Sequence, residues 1–186
     1  MALKISVYIA CSLDGYIARS NGDLDWLENN PPKDPKEDFG YHKFIKNIDC
    51  LIMGRNSFEK VCSFDVGWPY SNLPCYILST TLTQNDIPEN IQTLGSVEVK
   101  NITPVDLVKE LSKQDYKHLY IDGGKTIQNF LQHGLIDEIT ITQIPALLGN
   151  GIPLFATSHQ EFRLKLLSSR TFENGFVQSS YQILKQ

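Results

Sequence analysis

Two short stretches of this chain place a cation directly after glycine, where an apolar run gives way to a helical pattern. Gly54-Arg55-Asn56-Ser57 follows Cys50-Leu51-Ile52-Met53, and Gly123-Gly124-Lys125-Thr126 follows His118-Leu119-Tyr120-Ile121-Asp122. Glycine lets a backbone approach a ligand closely, and the first turn of a helix has N–H groups with no partner inside the helix. Such a place suits an anion. Arg55 adds a planar fork matched to phosphate, and Lys125 adds a point charge. A cation at a helix start opposes the helix dipole, so helix stability alone does not account for either residue. Each stretch also reads as a plain strand-to-helix turn. Two of them in one sheet suit a dinucleotide, which carries phosphates at more than one place. The patterns G-x-x-x-x-G-K-[ST] and G-x-G-x-x-G are absent, so the common nucleotide fingerprints do not apply.

Other residues could touch a substrate. Asp14 lies in Ser12-Leu13-Asp14-Gly15, where it could meet a ligand or only shape a turn. Trp26 could line a pocket or belong to the core. Asp38, Tyr41 and Ile45 share a face of the helix read from Asp34-Pro35-Lys36-Glu37, so the Asp38 carboxylate could look into a cleft. Acids are also common in first helical turns because they suit the dipole. Leu147-Leu148-Gly149-Asn150-Gly151 reads as a tight bend. The four histidines (His42, His118, His133, His159) and four cysteines (Cys11, Cys50, Cys62, Cys75) are scattered. No paired spacing predicts a metal site, and the cysteines read as reduced small hydrophobes.

The elements that must position these residues follow from periodicity. Ile5–Cys11 and the runs at 50–53, 75–78 and 118–121 are nearly unbroken apolar stretches, as in parallel strands covered on both faces. Tyr41, Phe44, Ile45 and Ile48 continue the helix from Asp34. Thr103-Pro104-Val105-Asp106 starts another, with Val105, Val108 and Leu111 as its apolar face. Ile127, Phe130 and Leu131 mark a third, stopped by Gly134. Near the end, Phe162, Leu164 and Leu166 alternate with charged residues. Glu173-Asn174-Gly175 then turns the chain into a second alternating strand. The predicted order is strand, helix, strand, helix, strand, strand, helix, strand, helix, strand and hairpin. That order predicts one three-layer α/β/α domain over residues 1–186, with a mostly parallel sheet and a C-terminal antiparallel hairpin. Ligands should sit beyond the carboxyl ends of the strands.

The 186 residues are 41% apolar and 20% charged, with a net charge of −4 and no basic stripe. This is ordinary for a globular domain and excludes nucleic acid as a natural partner. The N-terminal apolar run is too short to span a membrane or to serve as a secretory signal, so a cytoplasmic protein is expected.

Four stretches together resemble the dihydrofolate reductase superfamily, and within it small bacterial proteins similar to the reductase domain of the bifunctional riboflavin biosynthesis enzyme. They are Ile9 to Ala18, Ile52 to Glu59, Ile121 to Gly124, and Pro145 to Phe155, in that order. The resemblance implies a dihydrofolate reductase-like fold, NADPH as cofactor and hydride transfer to a pterin, pyrimidine or related heterocycle. It implies that Ala10 and Ile17 hold the nicotinamide, and that Gly54, Arg55, Asn56 and Ser57 meet the adenosine phosphates. Ser79 and Thr80 would lie along the adenosine end. Gly123, Gly124, Lys125 and Thr126 would cradle the pyrophosphate, often beside a cis peptide. It further implies a catalytic carboxylate at Asp38, which could bind a pteridine-like amidine or aid protonation, and a homodimer; Asp14, Trp26 and Tyr41 are the candidate substrate contacts, and the exposed terminal hairpin is the candidate interface. No cation follows the third strand at Ser79-Thr80-Thr81, so a preference for NADPH over NADH rests on Arg55. The alternatives are a ribosylaminouracil-type reductase of riboflavin synthesis, a true dihydrofolate reductase, a non-catalytic dinucleotide-binding protein and, more distantly, a flavin binder.

Overall fold

The computed structural model describes residues 3–29, 31–94, 97–155 and 161–185; His159 lies outside them. In chain order the elements are β1 (Lys4–Ser12), β2 (Tyr16–Ala18), α1 (Tyr41–Ile45), β3 (Cys50–Gly54), α2 (Arg55–Cys62), β4 (Cys75–Leu78), α3 (Glu89–Leu94), β5 (Val97–Lys100), α4 (Pro104–Leu111), β6 (His118–Asp122), α5 (Gly124–Gln132), β7 (Glu138–Ile144), β8 (Ile152–Pro153), β9 (Arg163–Thr171) and β10 (Val177–Leu184). The main sheet runs β5-β4-β3-β6-β1-β7-β10-β9, and β2 with β8 forms a separate ribbon. The six strands from β5 to β7 are parallel. The β9–β10 hairpin joins β7 antiparallel. The chain is therefore a three-layer α/β/α domain of the expected kind.

Successive side chains on a strand point to opposite faces, so a strand buried on both sides must be apolar throughout. Cys50 and Ile52 enter the core formed with α4 and α5, alongside Ile5, Val7, Leu119 and Ile121. Their neighbours Leu51 and Met53 enter the other core, formed with α2 and α3, alongside Phe58, Cys75 and Ile77. The thiols of Cys11, Cys50 and Cys75 are free and buried. Burial pushes the Cys11 thiol up to about 11, so it behaves as a small hydrophobe.

Several predicted elements differ in detail. The helix expected with Asp34 as its N-cap begins six residues later: α1 starts after Gly40, which is left-handed, and Phe39 before it is left-handed as well. Two consecutive residues at positive φ cannot lie within a right-handed helix. The apolar line of α4 is Pro104, Leu107 and Leu111, with Val105 only partly buried. The short α3 and the β2–β8 ribbon were not expected. No peptide bond is cis among the described residues; the turn at Gly123 is made by a φ of 88°. Gly134 (φ 63°) and Gly175 (φ 85°) do stop α5 and turn the hairpin.

At the amino-terminal rim of the parallel strands, the first residue of β6 is a histidine. His118 Nε2 lies 2.7 Å from Ser6 Oγ. Burial, reinforced by nearby Lys4, pushes its pKa below the ordinary 6.5. The unfolded chain then binds more protons than the folded one below pH 6.5, so stability rises with pH through that window. Urea midpoints should therefore fall as the pH is lowered from 7.5 to 5.5, and His118→Gln should flatten that dependence. An unchanged slope in the variant would assign it to other groups.

Candidate functional site

The carboxyl ends of β3 and β6 lie side by side, with Met53 opposite Asp122 in the parallel register. The chain turns directly from β3 into α2 and from β6 into α5. Both turns depend on glycine because each helix start presses on the other. A Cβ on Gly123 would fall on Ser57 Oγ, and one on Gly54 would lie 2.8 Å from Thr126 Oγ1. A Cβ on Gly124 would lie 2.9 Å from Ile17 Cδ1, so β2 closes over the same turn. The Gln128 amide donates to the carbonyl oxygens of Pro153 and Leu154, which fixes β8 to α5.

Neither α2 nor α5 has a side-chain N-cap or an acid in its first turn. By contrast, α4 is capped by Thr103, whose Oγ1 accepts from the Asp106 N–H, and it carries Asp106 in its first turn. The two helices at this rim thus leave their partial positive ends open. Arg55 reaches from α2 toward the end of β4: its Nη1 donates to Thr81 Oγ1 at 3.0 Å while its Nε pairs with Glu59 at 2.6 Å. Asn56, Thr80 and Lys125 are exposed, and Lys125 makes no ion pair among the described residues. The Ser79 hydroxyl accepts from the Thr81 and Leu82 N–H groups, so it shapes the turn after β4. Sequence reasoning overlooked Thr81, the residue that meets Arg55.

One strand inward lies a polar residue that composition did not single out. Asp122 ends β6, partly buried, and Burial pushes its carboxyl above the ordinary carboxylate range, although the Gly123 N–H and the Tyr120 hydroxyl partly counter this. The Tyr120 hydroxyl donates to the Tyr8 carbonyl at 2.9 Å and lies 3.4 Å from Asp122. Tyr8 packs edge-on against Tyr41, at 5.9 Å between ring centroids, and stacks on Phe44. Tyr41 is partly buried, and burial raises its pKa. The signal available in the sequence was the position itself: an acid after an apolar strand and before a diglycine.

The remaining expected residues take other places. The Asp38 carboxylate accepts from the Gly40 N–H at 2.9 Å and the His42 N–H at 2.7 Å, and it contacts the His42 ring. These donors hold its pKa down to about 2. It caps α1 as a carboxylate, and in that state it has no proton to give at neutral pH. Asp14 accepts from Ser12 Oγ and from the N–H groups of Leu148 and Gly149, so it ties the loop after β1 to the 145–151 bend. Those hydrogen bonds, Ser12's first, lower its pKa. Trp26 is 1% exposed and packs with Ile144, Phe176, Phe39 and Ala10. It is a core residue above Ala10, and its Nε1 has no hydrogen-bond partner among the described residues.

Three comparisons place this geometry among known proteins. A model of the RibD C-terminal domain matches residues 3–178. YwjB, an uncharacterized protein of Bacillus subtilis (strain 168), is 33% identical over 92% of this chain and 94% of its own length. A Shewanella sp. PV-4 protein provisionally assigned to riboflavin biosynthesis has a crystal structure that matches 98% of this chain and all of its own, with a TM-score of 0.90 and 38% identity. The Thermotoga maritima diaminohydroxyphosphoribosylaminopyrimidine deaminase/5-amino-6-(5-phosphoribosylamino)uracil reductase shares the fold, with a TM-score of 0.73 and 17% identity over 98% of this chain and 57% of its own. No helix among the described residues is long and apolar enough to cross a membrane.

The raised Asp122 pKa has a consequence for stability. Where the folded state holds the proton more tightly than the unfolded chain, stability declines as pH rises above the ordinary carboxyl value of 3.8. Asp122→Asn should therefore unfold at a higher temperature than the parent at pH 7. The difference should shrink as the pH approaches 4. A variant less stable than the parent at pH 7 would show that the ionised carboxylate is a favourable part of the fold.

Proposed function

This chain belongs to the RibD C-terminal domain family, and we propose that it is an NADPH-dependent reductase that transfers a hydride to a pterin, pyrimidine or related heterocycle. The observation that carries this reading is the contact between the openings of α2 and α5. Two uncapped helix starts, each with its own cation, meet through Gly54, Ser57, Gly123 and Thr126 at one rim of the sheet. The residues fit a phosphorylated dinucleotide. Gly123 leaves backbone where a Cβ would collide with Ser57, and Gly124 packs closely under the tip of Ile17. Lys125 is exposed beside them, and Arg55 points along the rim to Thr81.

When bound, NADPH supplies the hydride. Lys125 and the N–H groups of α5 would hold the pyrophosphate, with Arg55, Asn56, Ser57 and Thr80 toward the adenosine phosphates and the turn shaped by Ser79 beneath. Ala10 and Ile17 would flank the nicotinamide. Asp122 holds a proton on its carboxyl more readily than an ordinary aspartate does. It therefore suits a hydrogen bond to a ring nitrogen or carbonyl, and protonation of the reduced ring. Tyr41 would border the ring. Asp38 acts by capping α1, and Asp14 by fixing the 145–151 bend. The heterocycle could be a ribosylaminopyrimidine, with or without the phosphate named for the Thermotoga neighbour's substrate, or a pterin.

The β9 edge supports a second part of the proposal, a cytoplasmic homodimer. All nine β9 residues are exposed, among them Leu164, Leu166 and Leu167. A long exposed edge strand that carries three leucines offers its unpaired backbone groups and an apolar patch to a second copy of the chain.

Four measurements check this reading. Millimolar NADPH should raise the unfolding temperature, and a panel of dihydrofolate, simple pterins and aminopyrimidine ribosides should contain a compound whose addition consumes NADPH. Cofactor binding without consumption by any of them would favour a non-catalytic dinucleotide-binding protein. Arg55→Ala should weaken NADPH by roughly 10- to 100-fold, the size of a lost hydrogen-bonded charge contact, and NADH far less. Equal losses for both cofactors would remove Arg55 from the extra phosphate. Sizing in solution should give a dimer that Leu166→Lys dissociates; a monomer peak for the parent protein would end the dimer proposal.

A further inference from the structure

Thr142 on β7 is 5% exposed, and its Oγ1 accepts from the Gln178 side-chain amide at 2.9 Å. A hydroxyl that accepts still has a proton to donate, and among the described residues that proton meets no acceptor. Gln178, opposite Thr142 on β10, is open in the complementary sense. Its Nε2 also lies 2.9 Å from the Phe39 carbonyl oxygen and 2.8 Å from the Tyr8 hydroxyl, which itself donates to Phe39. A carbonyl only accepts, so Phe39 fixes which end of the Gln178 amide is the nitrogen. The Oε1 end is left over, and among the described residues no donor reaches it. Buried polar groups are nearly all hydrogen-bonded, so a donor and an acceptor left open side by side call for a partner with the opposite pair.

Their position says what that partner is. Thr142 pairs with Ala10 of β1 in the parallel register, and residues opposite each other share a face of the sheet. On the other side of β1, Asp122 follows Ile121, the partner of Val7. Strand alternation then puts Asp122 on the face that carries Ala10, Thr142 and Gln178. The strands β6 and β7 are two strand spacings apart, about 10 Å. A six-membered ring with a hydrogen bond of about 3 Å at each edge spans a similar distance. Trp26 packs in the same cluster as Ala10, and its Nε1 is a further buried donor without a partner among the described residues.

We propose that Thr142 and Gln178 are the specificity pair for the ring: the Thr142 hydroxyl donates to a ring carbonyl and the Gln178 carboxamide oxygen accepts from the ring N–H beside it, while Asp122 meets the opposite edge. The proposal rests on the heterocycle-reductase reading, and a binding titration separates the two. 6-Aminouracil offers a carbonyl beside an N–H. Titrated into the ¹⁵N-labelled full chain, with or without millimolar NADP⁺, it should saturably shift the backbone amide of Thr142 and the side-chain amide of Gln178. 1,3-Dimethyl-6-aminouracil keeps the carbonyls, loses the ring N–H groups and should bind at least tenfold more weakly.

The variants divide the two contacts. Thr142→Val, close in shape, removes the donor and should weaken both compounds by about tenfold, leaving the preference between them. Thr142→Ser should restore the parent affinities. Gln178→Met removes the acceptor and should bring the two compounds within about threefold of each other. In that variant Phe39 keeps the Tyr8 hydroxyl as its donor, so no carbonyl is orphaned. No binding of 6-aminouracil at millimolar concentration, an equal loss for both compounds in Gln178→Met, or parent-like affinity in Thr142→Val would overturn the pair. Binding as stated by a protein that consumes NADPH with no heterocycle would leave the pair as a ring site and end the reductase reading. Turnover of a heterocycle whose KM neither Thr142→Val nor Gln178→Met changes would do the reverse.

Discussion

The arrangement of this protein depends on how closely the carboxyl ends of β3 and β6 approach each other. Gly54 packs on Thr126 and Gly123 on Ser57, so each helix start fits only because the opposing residue lacks a side chain. Packing at interior density tolerates no extra methyl there. That closeness brings two helix N-termini into one place, where their partial charges add. It also fixes the direction in which α2 and α5 leave the sheet, and hence which side chains reach the two cores. Ile17 rests on the same turn, so the β2–β8 ribbon is positioned by the glycines as well.

The same rim gives up stability that the rest of the fold takes. An N-cap is typically worth about 1 kcal/mol. The α4 helix, which follows the edge strand β5, has its threonine cap and first-turn aspartate, whereas α2 and α5 have neither. Asp122 goes the same way: its burial penalises the charged form, and only the Gly123 N–H and Tyr120 offset the cost. Open helix ends and a poorly solvated carboxyl are expected where a structure is shaped for a ligand and not for itself. Apolar strands covered on both sides supply the compensating burial.

What could be read in the sequence followed from how directly it is tied to local chemistry. The buried strands were legible because both faces demand apolar residues, and the starts of α2 and α5 because glycine and a cation follow each strand. The hairpin was legible from Gly175 and from alternation. The segment from Asp34 to Gly40 misled because an Asp-Pro-x-Glu pattern is a good helix start only if the following backbone can be right-handed, and Phe39 and Gly40 are not. The ribbon of β2 and β8 escaped because it has three residues on one side and two on the other, too few for periodicity. Asp122 was visible in the chain, but its altered proton affinity comes from burial among tyrosines of three separate segments, which no local pattern encodes.

Phe39 shows how one unfavourable backbone position can serve several neighbours. A non-glycine residue in the left-handed region costs about 1–2 kcal/mol. Here the carbonyl it exposes takes up the Tyr8 hydroxyl and the Gln178 amide, and its N–H takes up Glu37. A right-handed conformation would carry the helix through this point and remove Asp38 from the start of α1, where it meets two N–H groups. It would also withdraw the ring from Phe172 and Phe176. The hairpin would then lose its apolar contact with the segment before α1, and Trp26 would lose one side of its packing. The strain at one residue is therefore held in place by the sheet below, the helix after it and the hairpin beside it, which is the condition under which such a conformation persists.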